Sequence, residues 1–190
     1  MPADTETARA RLLAELREHA LVIGEVTLAG GQRASYYVDA KRALLRPPAF
    51  RAAGELIAAA AVEVGAGAVG GMSIGADPLA CAGIAAEDGR DLVAFFVRKE
   101  RKQHGLQRWI EGPELKAGER CLVVEDVVTT GGSTVQAIER VREEGFEVVG
   151  VLAMVDRLAG GGEAVEATGA PFRALVTIDE LYPDRPDRGE

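Results

Sequence analysis

Cysteine, long apolar runs and surplus positive charge are what this 190-residue chain lacks. Its two cysteines, Cys81 and Cys121, both lie inside apolar runs. That excludes a disulfide framework and predicts reduced, packed thiols. The longest purely apolar stretch, Leu56 to Val62, is far short of the ~20 residues that span a bilayer. The first residues, MPADTETARARLLAEL, contain no apolar signal region, and their acids argue against a transit peptide. A cytoplasmic address with no membrane partner is therefore expected. Twenty-two basic residues against thirty acidic ones give a net charge of −8, so no nucleic-acid partner is expected. Global disorder is excluded as well, because 47% of the residues are apolar, enough to build a core.

The scarce positive charge is unevenly spread. From Arg98 to Arg108, five of eleven residues are Lys or Arg and Glu100 is the only acid. A uniform spread would place about 1.3 basic residues in such a window. An acidic chain holding a local basic cluster is suited to a small, highly charged anion.

Apolar runs of strand length recur between helix-like segments. Residues 66–72, 92–97, 120–125, 147–155 and 173–178 are almost continuously apolar and rich in valine, as strands covered on both faces are. Between them, 78–87, 133–144 and 162–167 read as helices, and upstream 5–19 and 47–63 carry apolar residues at helical spacing. The alternation predicts an α/β fold: a parallel sheet flanked by helices. No repeat or long linker divides the chain, so one domain over 1–190 is expected, with an N-terminal part of about 1–45 and a core of about 46–180. Residues 24–45 read as short strands around a Gly-Gly turn added to that core. Residues 98–112 form a long polar segment between apolar flanks, and loops of that kind tend to be functional or disordered. The polar tail, 183–190, is expected to fray.

The sharpest motif is Leu122 to Thr134, LVVEDVVTTGGST. An apolar strand ends in Glu125 and Asp126; Val127 and Val128 follow, then Thr129, Thr130, Gly131, Gly132, Ser133 and Thr134, where a helix begins. Glycines let successive N–H groups curl inward, the hydroxyls add donors, and the new helix contributes its unpaired N–H groups and positive dipole end. That is a cradle for a dianionic phosphate at the C-terminal edge of a parallel sheet. It lacks the Gly-Lys-Ser/Thr of a Walker loop and the G-x-G-x-x-G of a dinucleotide fingerprint. Two carboxylates beside it would repel a bare phosphate, so they should face hydroxyls or developing positive charge. A ribose 5-phosphate satisfies both halves. The plainest alternative is a Thr/Gly-rich turn with a solvated acid pair and Ser133 as the helix cap.

This segment resembles the phosphoribosyl pyrophosphate (PRPP) motif of type I phosphoribosyltransferases. Arg98-Lys99-x-x-Lys102-x-His104-Gly105, closed by Trp109-Ile110-Glu111-Gly112, resembles the mobile active-site loop of the orotate phosphoribosyltransferase family. Arg157, in Val155-Asp156-Arg157, matches the position from which that family contacts the orotate carboxylate. The matches run from about residue 27 to 157. The resemblance implies a type I phosphoribosyltransferase sheet with a small N-terminal hood and a mobile loop. It implies an enzyme, a pentosyltransferase making orotidine 5-phosphate and pyrophosphate from orotate and PRPP in pyrimidine biosynthesis. Lys102 and Asp126 would be catalytic. PRPP would be held by Arg98, Lys99, Lys102, His104, Glu125, Asp126, Val127, Val128, Thr129, Thr130, Gly131, Gly132 and Ser133, and orotate by Thr129 and Arg157. Mg²⁺ would be held mainly through pyrophosphate oxygens, with no dedicated protein ligands. The family's members are dimers in which the basic loop closes over the partner's site, so a homodimer acting in trans is implied.

Two positions depart from the family. Where members carry L-K-S-G, this chain reads Leu28-Ala29-Gly30-Gly31; where they carry a Tyr-Lys pair after the first core strand, it reads Gly75-Ala76-Asp77-Pro78. The backbone of 74–77 is expected still to cradle pyrophosphate, with Lys41 or Arg42 supplying lost charge. By a looser alignment, Tyr37 and Val38 wall the base pocket. Trp109 reads as an apolar anchor for the loop base. Three readings remain open beside the main one: a phosphoribosyltransferase for another base, a non-catalytic PRPP- or nucleotide-sensing regulator, and an inactive paralogue. The basic loop and Arg157 favour an anionic base.

Overall fold

The computed structural model describes residues 3–27, 33–89, 91–101 and 108–188. Its first half comprises helix α1 (Ala3–His19), strands β1 (Leu21–Thr27) and β2 (Arg33–Val38), helices α2 (Lys41–Leu44) and α3 (Pro47–Val64), strand β3 (Ala68–Met72) and helix α4 (Asp77–Ala85). The second half comprises β4 (Val93–Val97), β5 (Ile110–Glu111), β6 (Arg120–Val128), α5 (Gly132–Glu143), β7 (Glu147–Asp156), α6 (Gly161–Glu166), β8 (Phe172–Thr177) and α7 (Ile178–Leu181).

Six strands make one sheet in the order β5-β4-β3-β6-β7-β8, parallel except for β5, which runs antiparallel to β4. Alternation along β6 explains why both faces must be covered. Leu122 and Val124 point into a core shared with α1, α3 and α4, where Leu12, Leu16, Ile57 and Leu79 are buried. Cys121 and Val123 point into a second core under α5 and α6, with Ile138, Val141 and Val165. α3 begins at Pro47, whose missing N–H costs nothing in a helix's first turn, and its alanine-rich face lets α1 and α4 pack closely on it.

The expected strands and long helices all form, with ends within a few residues. β5, α2 and α7 were beyond the periodicity, being too short to show one. The N-terminal addition, expected as short strands over 24–45, holds β1 and β2 paired antiparallel in a sheet of their own, but β1 already begins at Leu21 and 41–44 is the helix α2 rather than strand. The tail departs from expectation: among the described residues through 188, Arg185 pairs with Asp179 and Asp187, and Arg188 donates to the Pro183 carbonyl at 2.8 Å. Residues 183–188 are held by these contacts rather than frayed. No described helix is long and apolar enough to cross a membrane.

Within the sheet, the chain builds outward from β3 to β4 on one side, then returns past β3 to lay down β6, β7 and β8 on the other. The crevice beyond the carboxyl ends of β3 and β6 is thus the topological switch point, where open α/β sheets bind ligands.

Candidate active site

β6 delivers Glu125 and Asp126 to that crevice. Consecutive strand residues point to opposite faces, so the two carboxylates find different partners. Glu125 Oε2 accepts from Ser133 Oγ at 3.0 Å and Thr134 Oγ1 at 3.2 Å. Asp126 accepts from the Val127 N–H at 2.9 Å on Oδ1 and from Lys41 Nζ at 2.8 Å on Oδ2. Their exposures are 5% and 8%, so the alternative of a solvated acid pair fails. Burial, with the Asp126 charge beside it, pushes the Glu125 carboxyl up to about 7, the Ser133 and Thr134 hydroxyls partly opposing. Burial alone would depress the Lys41 ammonium, but its bond to Asp126, with Asp39 3.8 Å away, leaves its pKa above the ordinary value.

Past the acids, Thr129 and Thr130 are exposed and Gly131 caps α5 at φ +78°. A Cβ at 131 would lie 2.7 Å from the Gly161 carbonyl oxygen, so the position admits only glycine on both counts. The first turn of α5, from Gly132 through Ser133 to Thr134, leaves backbone donors free of intrahelical partners. Ser133 is not the cap; its hydroxyl goes to Glu125. Val128 is buried and contributes its carbonyl, which accepts the Arg157 N–H at 2.8 Å.

The loop after β3 closes the other wall. Ser73 Oγ donates to Asp77 Oδ1 at 2.8 Å, and the Ser73–Ile74 peptide is cis. Gly75 lies so close to Asp126 that a Cβ there would be 2.5 Å from Oδ1. Asp77 is bonded back to Ser73; burial raises its carboxyl pKa, and that bond opposes the rise.

Arg157 sits one strand over. Its Nη2 donates to Tyr36 Oη at 2.9 Å, its guanidinium lies 4.8 Å from the Tyr36 ring centroid, and its buried Nε has no hydrogen-bond partner among the described residues. Tyr36 Oη in turn donates to the Asp187 carboxylate, 2.9 Å from Oδ2 and 3.1 Å from Oδ1, and its ring meets Tyr182 edge-on at 5.4 Å. Burial and the Asp187 bond raise the Tyr36 pKa; Arg157 opposes them. The hood residue nearest the expected base contact is therefore Tyr36, which is 3% exposed, while Tyr37 is 38% exposed. The period-2 pattern of β2 carried that information, since Tyr36 and Val38 share the buried face.

The basic segment flanks the site through β4 and β5. Arg98 pairs with Glu111 at 3.1 Å and Lys99 is exposed. Lys102, His104 and Gly105 lie outside the described residues, as does Ala29. Of the two suggested compensating cations, Lys41 reaches Asp126 and Arg42 is exposed. A buried face of α2, Ala43 and Leu44, fixes this choice.

A phosphoribosyl transferase domain family matches residues 73–167, from the loop after β3 through the cradle to α6. Fold and site together are those of a type I phosphoribosyltransferase. The orotate phosphoribosyltransferase of Corynebacterium glutamicum is 49% identical over 174 residues, 92% of this chain and 94% of that protein. Among solved structures, Mycobacterium tuberculosis orotate phosphoribosyltransferase with Fe(III) dicitrate matches at TM-score 0.83 and 44% identity, over 92% of this chain and 99% of that one. The same enzyme with PRPP matches at 0.79 and 40%, over 92% and 98%. The chain belongs to the orotate phosphoribosyltransferase family.

Proposed function

We infer that the chain transfers the 5-phosphoribosyl group of PRPP to orotate, giving orotidine 5-phosphate and pyrophosphate in UMP biosynthesis. The observation that carries the reading is the Arg157 guanidinium, its buried Nε without a partner among the described residues, one strand from the phosphate cradle. A half-buried cation with a buried N–H still to be satisfied selects an anionic base over a neutral one.

In this reading the bond from base nitrogen to the anomeric carbon forms as the bond to the diphosphate oxygen breaks, with positive charge growing on ribose and negative charge on pyrophosphate. The 5-phosphate rests on the N–H groups of Thr129, Thr130, Gly131, Gly132 and Ser133 and the hydroxyls of Thr129 and Thr130. Glu125 and Asp126 take the ribose hydroxyls, and Asp126 stabilises the ribosyl cation. Val127 and Val128 contribute main chain. Arg98, Lys99, Lys102 and His104 neutralise pyrophosphate, with Lys102 catalytic, and Thr129 and Arg157 hold orotate. Lys41 supplies positive charge where this chain has Ala29 and Asp77. Fixed charges of this kind act most strongly where water is excluded.

Among the described residues no group of three or more His, Cys, Asp or Glu could hold a metal ion. The donor set fits Mg²⁺, which keeps waters and needs only one or two carboxylates when phosphate oxygens supply the rest. Bound to the diphosphate, Mg²⁺ would neutralise the leaving group. The working unit is a homodimer with the basic segment reaching the partner's site, and the address is the cytoplasm, which the free thiols of Cys81 and Cys121 support.

The test is to follow orotate absorbance with PRPP and Mg²⁺, repeating with uracil, adenine and hypoxanthine. Loss of orotate absorbance only with both PRPP and Mg²⁺ is expected. PRPP binding without turnover of any base would overturn the reading in favour of a sensor.

A further inference from the structure

Helix α5 does more than present its N-terminus to a phosphate: its far end grips both ends of the basic segment. Arg140, in the last turn, donates from Nη1 to the Arg98 carbonyl at 2.7 Å and from Nη2 to the Lys99 carbonyl at 3.1 Å. The same Nη1 lies 3.3 Å from Met72 Sδ, at the end of β3. Its guanidinium stacks on Trp109, 4.2 Å from the ring centroid, and Arg101 covers the ring at 5.1 Å. Glu143 and Glu144, one turn on, accept from Trp109 Nε1 at 2.7 Å and from the Trp109 N–H at 2.8 Å. Trp109 is thus anchored by cations and hydrogen bonds, beyond the apolar packing its sequence position predicted.

The guanidinium is half-buried and meets two carbonyls and an aromatic ring together. Arginine's planar fork matches two adjacent carbonyls and an aromatic face at once, which a lysine cannot do. The carbonyls it holds belong to the two residues that open the basic segment, and the ring belongs to the residue that closes it. Main-chain closure between the sides is made by the Arg98 N–H to the Trp109 carbonyl at 2.9 Å. α5 is buried along Ala137, Ile138 and Val141, so Arg140 is a post on a rigid rod whose other end is the phosphate cradle.

We propose that Arg140 is a positioning residue for PRPP: it fixes the main chain of Arg98 and Lys99 at a set distance from the 5-phosphate cradle, so that one substrate is gripped at both phosphate ends by one helix. The inference rests on the reading that Arg98 and Lys99 meet pyrophosphate. Misplacing a binding group by an ångström costs as much as about a hundredfold in rate.

The experiment measures kcat, both KM values and the thermal midpoint for Arg140→Ala, Arg140→Lys, Arg98→Ala and Lys99→Ala. Arg140→Ala is expected to lower kcat/KM for PRPP about tenfold or more, with KM for orotate and the thermal midpoint unchanged. Arg140→Lys, which keeps the charge but loses the fork, is expected to recover little of it. If Arg98→Ala and Lys99→Ala are impaired while Arg140→Ala matches wild type, the positioning role is wrong. The role is also wrong if Arg140→Ala raises both KM values alike, or if Arg140→Lys restores full activity. If Arg98→Ala and Lys99→Ala are themselves unimpaired, the pyrophosphate reading of the segment fails instead. Trp109→Leu, which removes the stacked ring without touching the guanidinium, should act in the same direction and carries the test if Arg140→Ala does not fold.

Discussion

Replacing Glu125 by Gln should make the protein more stable while making it a poorer enzyme, and the gain should depend on pH in a way the structure dictates. Glu125 is 5% exposed, and burial together with Asp126 raises its carboxyl from 4.5 to about 7. Below pH 4.5 the group is protonated whether the chain is folded or not, and it contributes no pH-dependent difference. Between 4.5 and 7 the unfolded chain releases this proton and the folded chain retains it, so folding stability falls as pH rises. Above 7 the penalty is complete. At about 1.4 kcal/mol per pH unit, the full cost is about 3 kcal/mol. A glutamine carries no charge at any pH and keeps an oxygen to accept from Ser133 and Thr134. The variant should therefore match wild type near pH 4.5 and exceed it by about 3 kcal/mol at pH 8, or about 6–12 °C in midpoint for a chain of this size. Thermal or urea unfolding of both proteins at pH 5, 6.5 and 8 reads the difference, and other titrations largely cancel because both share them. A gap that does not widen between pH 5 and 8 would refute the argument. Turnover should fall, because the carboxylate held at such cost is reserved for the ribose.

Asp126→Asn should lower kcat by at least about a hundredfold with the fold intact; an unchanged rate removes its assigned role. Lys41→Ala should raise KM for PRPP about tenfold while Arg42→Ala leaves it alone, since only Lys41 lies 2.8 Å from Asp126; if neither substitution changes PRPP affinity, Lys41 does not replace the missing cations. Tyr36→Phe should raise KM for orotate about tenfold without changing KM for PRPP, because it removes the hydroxyl accepting from Arg157, and Asp187→Asn should act in the same direction more weakly. Mixed dimers of Lys102→Ala and Asp126→Asn subunits should recover activity through one intact composite site, and a verified heterodimer that stays inactive places the basic segment in cis.

What could be read from the sequence, and what could not, follows from the range of each interaction. The strands were legible because both faces of a parallel sheet are dry, so Leu122, Val123 and Val124 had to be apolar in succession. The cradle was legible because a strand end, two glycines and a helix start are contiguous. The Tyr36–Asp187 bond joins residues 151 apart, and Lys41 meets Asp126 across 85; no local periodicity encodes either pairing. The error at the tail has that origin: Pro183 to Arg188 is polar enough to fray, and it is held by a tyrosine and an acid on other elements. Arg140 shows the same limit within a helix. Its spacing identifies an outward-facing basic residue near a helix C-terminus, an ordinary dipole partner. Only the placement of β4 beside β3, which carries Arg98 and Lys99 past the end of α5, turns that ordinary arginine into the link we propose between the helix and the basic segment.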